Sequence, residues 1–459
     1  MSKSIDVIPE NLTAALAGFV VDLQPGSIPA DQTYWVRASL LDWLGCCLAG
    51  AEDPAVQALD AVLGSMGGAP QATLVGRARR ASVLDAALLN GAAGAQLDLD
   101  DLHVGLIGHP AAVLCPTLLA LGEQQGAHGR DFVTAYVAGY EVLVRIGLAV
   151  EPELYNRGWH ATGVLGVFGA CAAAGKLLAL DAAQMVAAMG IAGTQAAGLR
   201  ELLGVPAKCL HQGKAAAAGV LAALWAKAGV TSCVDIIGGR HGLQVFSQPP
   251  RAGKMLDGMG ERFLLGQTSY KRHAGSGSLH AAIDAALALR RDHDLTAEAI
   301  ERVVVKTHPL AADMAQNHAE PATTFAARQS MHFAVALAFV EGRADADLYT
   351  DATLADARVR ALAARVVVQA DPEMQYVDAM PSQVSISMRD GRQMSARIDM
   401  PKGRPGNPMS WDELADKFRR LTASALPVDR QAAVIAAVAR LDALAVADLL
   451  APLAHAQAH

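Results

Sequence analysis

Five long segments of this chain have almost no polar face: Ala111–Gly122, Phe132–Val150, Ala161–Leu180, Ala182–Leu199 and Lys214–Ala228. A helix with an apolar stripe can lie on a surface, but one that is apolar all round must be covered all round. These segments therefore have to pack into one thick bundle, or across a subunit interface. Hydrophobic residues are 52% of the 459 and aromatics only 5%, so Ala, Leu, Val and Gly must do the packing, and such small side chains let helices approach closely. With charged residues at 18%, the composition excludes a disordered chain.

The segments Leu12–Leu23, Tyr34–Ala49 and Val56–Leu63 repeat apolar residues at three- and four-residue spacing, so the chain reads as helical to about Arg262. The texture changes after Gly266. Val303–Val305 and Val366–Val368 are β-branched runs, and Val384, Ile386 and Met388 alternate with polar residues before Arg389-Asp390-Gly391-Arg392. An Asp-Gly between alternating runs signals a hairpin. Helical patterns at Leu279–Arg290, Ser330–Glu341 and Asp356–Ala364 lie between the strands. After the turn-rich 401–408, Ser410 and Glu413 form a capping-box pattern opening a helical tail. The expected fold is mainly α: a discontinuous all-α domain from 1–265 and 408–459, with a smaller α+β domain over 266–407.

A net charge of −7, with no block of like charges, argues against a nucleic-acid or anionic-membrane surface. The N-terminus lacks a basic region followed by an apolar one, so no secretory leader is expected. Ala182–Leu199 is the longest uncharged helical stretch, but Gln184, Thr194, Gln195 and its glycines make it a poor membrane span. The six cysteines form no CxxC, which fits reduced thiols in a cytoplasmic protein and gives little support to structural zinc or an iron–sulfur cluster.

Four clusters could carry chemistry. Asp98-Leu99-Asp100-Asp101-Leu102-His103 precedes His109-Pro110; it reads as an acid/base histidine set by carboxylates, a divalent-metal site, or an acidic loop before a helix N-terminus. His160 opens a small-residue helix, where it is either a proton carrier beside a bound anion or a satisfied core histidine. Arg200, Lys208, His211 and Lys214 put cations into an apolar region where Glu201 neutralises only one, which points to an anion-binding cleft. Lys271-Arg272-His273-Ala274-Gly275-Ser276-Gly277-Ser278-Leu279-His280 is a basic glycine–serine loop at the domain junction, either cradling an anion through its N–H groups or acting as a hinge.

In this order the motifs DLDDLHVGLIGHPAAVLCPTLLALGE, GWHATGVLGVFGACAAAGKLLALD, GLRELLGVPAKCLHQGKAAAAGVLAALWAKAG, SYKRHAGSGSLHAAIDAALAL and PKGRPGNPMSWDELADKF resemble the MmgE/PrpD family, which includes 2-methylcitrate dehydratases, cis-aconitate decarboxylases and iminodisuccinate epimerase. The resemblance spans Asp98 to Phe418. It implies an all-α domain closed by an α+β lid, a homodimer, a site between the domains, no metal or organic cofactor, and a small di- or tricarboxylate substrate. On the matching positions it implies His109, His160, Lys208 and Lys271 as catalytic residues, with Asp98, Arg200, His211, Ser276 and His280 at the substrate.

Two departures stand out. Where cis-aconitate decarboxylases are expected to have a histidine, this chain has Ser276, unless a shifted loop lets His273 replace it. Where they are expected to have a tyrosine, it has Phe333, which cannot donate a proton. Both count against cis-aconitate decarboxylation in particular. The expected activity is a dehydratase-type lyase, with epimerase, decarboxylase and an inactive carboxylate-binding homologue as alternatives. A metal-dependent hydrolase using Asp98, Asp101, His103 and His109 is a further one.

Overall fold

The computed structural model describes residues 11–316, 318–374 and 380–453. Residues 1–10, on which the reading of the N-terminus rests, lie outside them, as do 454–459. The fold is mainly α, as its composition implies. Buried apolar residues fall into two clusters. One runs from Leu12 to Tyr270 and resumes from Met409 to Leu453; the other gathers Ala274 to Met388 with Cys46 and Leu99. The tail returns to the bundle through the helix Trp411–Thr422, which packs on Ala30–Gly50. Its start is the capping box read from the sequence, with the Glu413 N–H donating to Ser410 Oγ and the Ser410 N–H to Glu413 Oε2. Lys417, on the same helix, places Nζ 2.6 Å from Asp42 Oδ1, a fully buried ion pair.

The bundle owes its close packing to glycine. Val83–Gln96 crosses Cys209–Lys227 where Gly91 meets Gly213; a Cβ on Gly213 would stand 2.2 Å from the Leu88 carbonyl oxygen. Gly129–Val150 is long and apolar enough to cross a membrane, but 94% of its apolar window is covered by the surrounding protein. The apolar helices find cover within this one chain, so they no longer argue for a second copy.

Two apolar segments differ from their expected extent. Ala161–Leu180 breaks at Leu165 into Ala161–Val164 and Gly166–Leu177, with Gly163 and Gly166 lowering helix propensity on either side. Ala182–Leu199 is helical only to Gly193; beyond it, Leu199 bridges Trp159 and the Gly198 carbonyl accepts from the His160 N–H. The helix expected from Lys214 begins instead at Cys209, which puts His211 in its first turn and Lys208 at its cap.

Two short strands, β1 (Ala72–Thr73) and β2 (Arg80–Ala81), pair in the bundle. The second cluster holds β3 (Ile300–Thr307), β4 (Val366–Ala370), β5 (Ser382–Met388) and β6 (Gln393–Ile398) in the order β4-β3-β5-β6. Only β3–β4 is parallel. Val384, Ile386 and Met388 point inward as their alternation requires, and the Asp-Gly hairpin turns with Gly391 at φ +86°. This sheet and its helices form the lid over the bundle.

Candidate active site

A cavity of about 450 Å³ opens where bundle and lid meet, lined from the bundle by Asp98, His109, His160, Arg200 and Lys208, from the joining segment by Lys271, and from the lid by Ser276 and Gln329 among others. Asp98 follows the end of helix Val83–Gln96 in a left-handed conformation at φ +52°, which Asp tolerates better than most residues. That turn aims its carboxylate into the cavity wall. Lys208 and Lys271 place Nζ at 2.8 and 3.0 Å from Asp98 Oδ1, Lys271 also donates to the Asp98 carbonyl at 2.7 Å, and Gln329 Nε2 donates to Oδ2 at 3.0 Å. Burial by itself would raise the Asp98 pKa, but the two ammonium groups beside it hold it well below the usual carboxylate range. Asp98 thus anchors both lysines and ties the bundle to the lid through Gln329.

His109 is oriented by the same loop. Its Nδ1 lies 2.7 Å from the Asp101 carbonyl and 3.4 Å from Asp100 Oδ2, and its backbone N–H donates to Thr162 Oγ1. A carbonyl can only accept, so Nδ1 carries the proton and Nε2 is the basic nitrogen. Burial, with Lys208 and Lys271 nearby, lowers its pKa, although Asp100 opposes them. Asp101 instead accepts from the Ala111 N–H at 3.1 and 3.2 Å, capping the helix Ala111–Gln125. For that one carboxylate, the helix-terminus reading holds.

His160 meets His211 through a 2.9 Å contact between their Nδ1 atoms, so at least one ring is neutral. Burial first, then Lys208, keeps His160 well below its ordinary pKa and His211 at about 4. The His109 and His160 rings stand 6.2 Å apart. Arg200 lies 4.0 Å over the Tyr155 ring at the exposed rim. The whole can hold carboxylates on Lys208, Lys271 and Arg200 while presenting neutral imidazoles that accept a proton.

Several expectations need correcting. His211 does not line the cavity and touches it through its contact with His160; His280 does not line it either, its ring packing edge-on 5.5 Å from that of His273 inside the lid. His273 binds Asp284 at 2.8 Å and does not occupy the position near Ser276, whose hydroxyl contacts Ser278 Oγ. In the glycine–serine loop the Ala274 and Ser276 N–H groups donate to the Ala344 and Arg328 carbonyls, so these two do not face an anion. Gly275, at φ +98°, permits this approach, since a Cβ there would meet the Arg328 oxygen at 2.0 Å. Phe333 packs against Tyr349 away from the cavity, so its lack of a hydroxyl has no direct effect there; Tyr155 and Phe325 are aromatic rings that do line it.

Gln329 was not singled out from the sequence. Its only signal is an Arg-Gln pair ahead of Ser330, which caps the helix Met331–Glu341. Asp98, Asp100 and His109 each offer a ligand atom within 4.8 Å of the others. Both Asp98 oxygens are already bonded, however, and two ammonium groups oppose a cation at that point.

Bundle, lid and the lysine–histidine cavity between them define a mainly α protein of two packed parts. The MmgE/PrpD N-terminal domain matches residues 14–252 and the MmgE/PrpD C-terminal domain residues 273–443, and the chain belongs to the MmgE/PrpD family. It is 29% identical over 474 residues to a cis-aconitate decarboxylase-like protein of Aspergillus oryzae, covering 97% of this chain and 98% of that one. It is 25% identical to the cis-aconitate decarboxylase of Aspergillus terreus, with 94% of each covered, and 27% identical to that of Homo sapiens, with 78% and 76% covered.

Proposed function

We propose that this protein is a carboxylate lyase of the dehydratase type, acting on a small di- or tricarboxylate by removing a proton beside a carboxylate. The observation that carries the reading is the convergence of Lys208 from the bundle, Lys271 from the segment joining bundle and lid, and Gln329 from the lid on one buried carboxylate, at the rim of a cavity that also holds two neutral histidines. Substrate carboxylates bind the ammonium groups and Arg200, which stabilise the negative charge that develops as the C–H bond breaks. His109 Nε2 takes the proton, with Asp100 and the Asp101 carbonyl behind Nδ1 supporting the imidazolium that forms. Lys208 and Lys271 donate to the departing hydroxyl, and Asp98 helps keep Lys208 protonated against the effect of burial.

Decarboxylation of a cis-aconitate-like substrate is the second reading, favoured by the names of the relatives. In it CO2 leaves and the carbanion is protonated by the same groups. A homodimer and a cytoplasmic location accompany either reading as part of the proposal. The test is appearance or loss of conjugated-alkene absorbance over a panel of citrate-like and aconitate-like acids, with wild type beside His109→Ala and Lys208→Ala. Turnover in wild type that both variants lose supports the reading, and wild-type inactivity on every acid rejects it.

A further inference from the structure

The segments that build the lysine–histidine cavity turn neighbouring residues the other way. Leu97 and Leu99 flank Asp98, Arg272 follows Lys271 and Arg328 precedes Gln329; these residues line a second cavity of about 470 Å³ on the far side of the same wall. Its opposite side is bundle, including Glu52, Lys417 and Arg420. The two cavities therefore share a wall one residue thick at three places.

The charges of the second cavity are unevenly matched. Lys417 is bonded to Asp42 and to the Leu99 carbonyl. Asp345 and Asp347 are both taken by Arg343, and Arg420 approaches Asp345 only to 3.8 Å. Glu52 is exposed and accepts from Gln57. Among the described residues the side chains of Arg272 and Arg328 make no hydrogen bond or ion pair. The charge of Arg272 is felt at Asp284 and Glu413, and Arg328 Nε is fully buried without a partner. Among these residues neither guanidinium is matched by a carboxylate, and an oxyanion is the natural complement of an arginine's planar fork, which meets two oxygens at once.

We infer that this second cavity is a binding site for a small multivalent oxyanion, held by Arg272 of the joining segment, Arg328 of the lid and Arg420 of the bundle. Such a ligand bridges the two parts of the molecule, and through Arg272 and Arg328 it acts on Lys271 and Gln329, the adjoining residues that bond Asp98. Phosphate and carboxylate groups share this chemistry, so both are tried.

The experiment is calorimetric titration of the full chain with inorganic phosphate and, separately, with citrate. It uses wild type, Lys208→Ala to weaken the first cavity, and Arg328→Met and Arg272→Met to weaken the second, with circular dichroism checking each fold. At least one anion should bind wild type and Lys208→Ala alike and lose tenfold or more in affinity in Arg328→Met and Arg272→Met. Tighter phosphate binding identifies a phosphorylated ligand, and tighter citrate binding a polycarboxylate. Should Arg328→Met fail to fold, the exposed Arg272 carries the comparison. Binding that survives the arginine changes and disappears in Lys208→Ala would overturn the proposal, as would no binding of either anion to wild type.

Discussion

Lys208 of the bundle and Lys271 of the segment joining it to the lid share a single oxygen of Asp98, at 2.8 and 3.0 Å, while Gln329 of the lid bonds the other at 3.0 Å. The shared carboxylate holds bundle and lid in register at the place where a substrate would bind. Removing one partner of a buried pair is expensive, since the other is left desolvated and unmatched.

Asp98→Asn removes that counter-charge while keeping the shape. It should lower stability by about 3 kcal/mol and reduce kcat/KM by at least ~100-fold, through misplaced lysines. Thermal unfolding and steady-state kinetics check both. Lys208→Ala should give a similar kinetic loss.

Because burial lowers the His109 pKa below its ordinary 6.5, the base stays unprotonated at neutral pH. The acid limb of kcat/KM should therefore fall below pH 6.5. Asp100 raises that pKa, so Asp100→Asn should move the limb to still lower pH, with a loss of about tenfold or more in rate at neutral pH. A pH–rate profile of both proteins measures this, and an unmoved limb would remove Asp100 from the account.

Stability should depend on pH through two groups of opposite sign. His211 falls from 6.5 to about 4 on folding, so its contribution is complete above 6.5 and is lost as pH falls toward 4. Glu151 is pushed up by burial to about 7; its contribution is complete below 4.5 and is lost as pH rises through 7. Glu151→Gln should thus stabilise the protein at pH 8, by up to about 3 kcal/mol, and change little at pH 4.5. Urea unfolding at the two pH values measures the difference.

Gly213→Ala forces a methyl group against the Leu88 carbonyl at the crossing of Val83–Gln96 and Cys209–Lys227. The loss should be about 1–3 kcal/mol, seen as a lower Tm. Activity should fall with it, because the second helix carries His211 and is capped by Lys208.

Much of this was legible in the chain. The all-round apolar helices, the hairpin at Gly391 and the capping box at Ser410 are local, and their patterns survive into the structure. Asp98, His109, His160, Lys208 and Lys271 could be picked out because charges and histidines are rare in such apolar surroundings. What could not be read depends on where distant segments meet. His280 and Ser276 are close in sequence, yet of the two Ser276 reaches the cavity, where the loop turns at Gly275 with the Ala274 and Ser276 N–H groups bonded to the lid. Gln329 became visible only when folding brought it to Asp98, and the end of the helix at Gly193 followed from Gly198 pairing with His160.

The most direct test of the central claim is proton NMR in D2O with purified protein and citrate-like, aconitate-like and iminodisuccinate substrates. The account predicts loss of a hydroxylated di- or tricarboxylate with new vinyl signals, abolished in His109→Ala. Deuterium entering beside a carboxylate with no net loss of substrate would contradict lyase chemistry and indicate an epimerase, and no change with any substrate would contradict the assignment of this cavity as an active site.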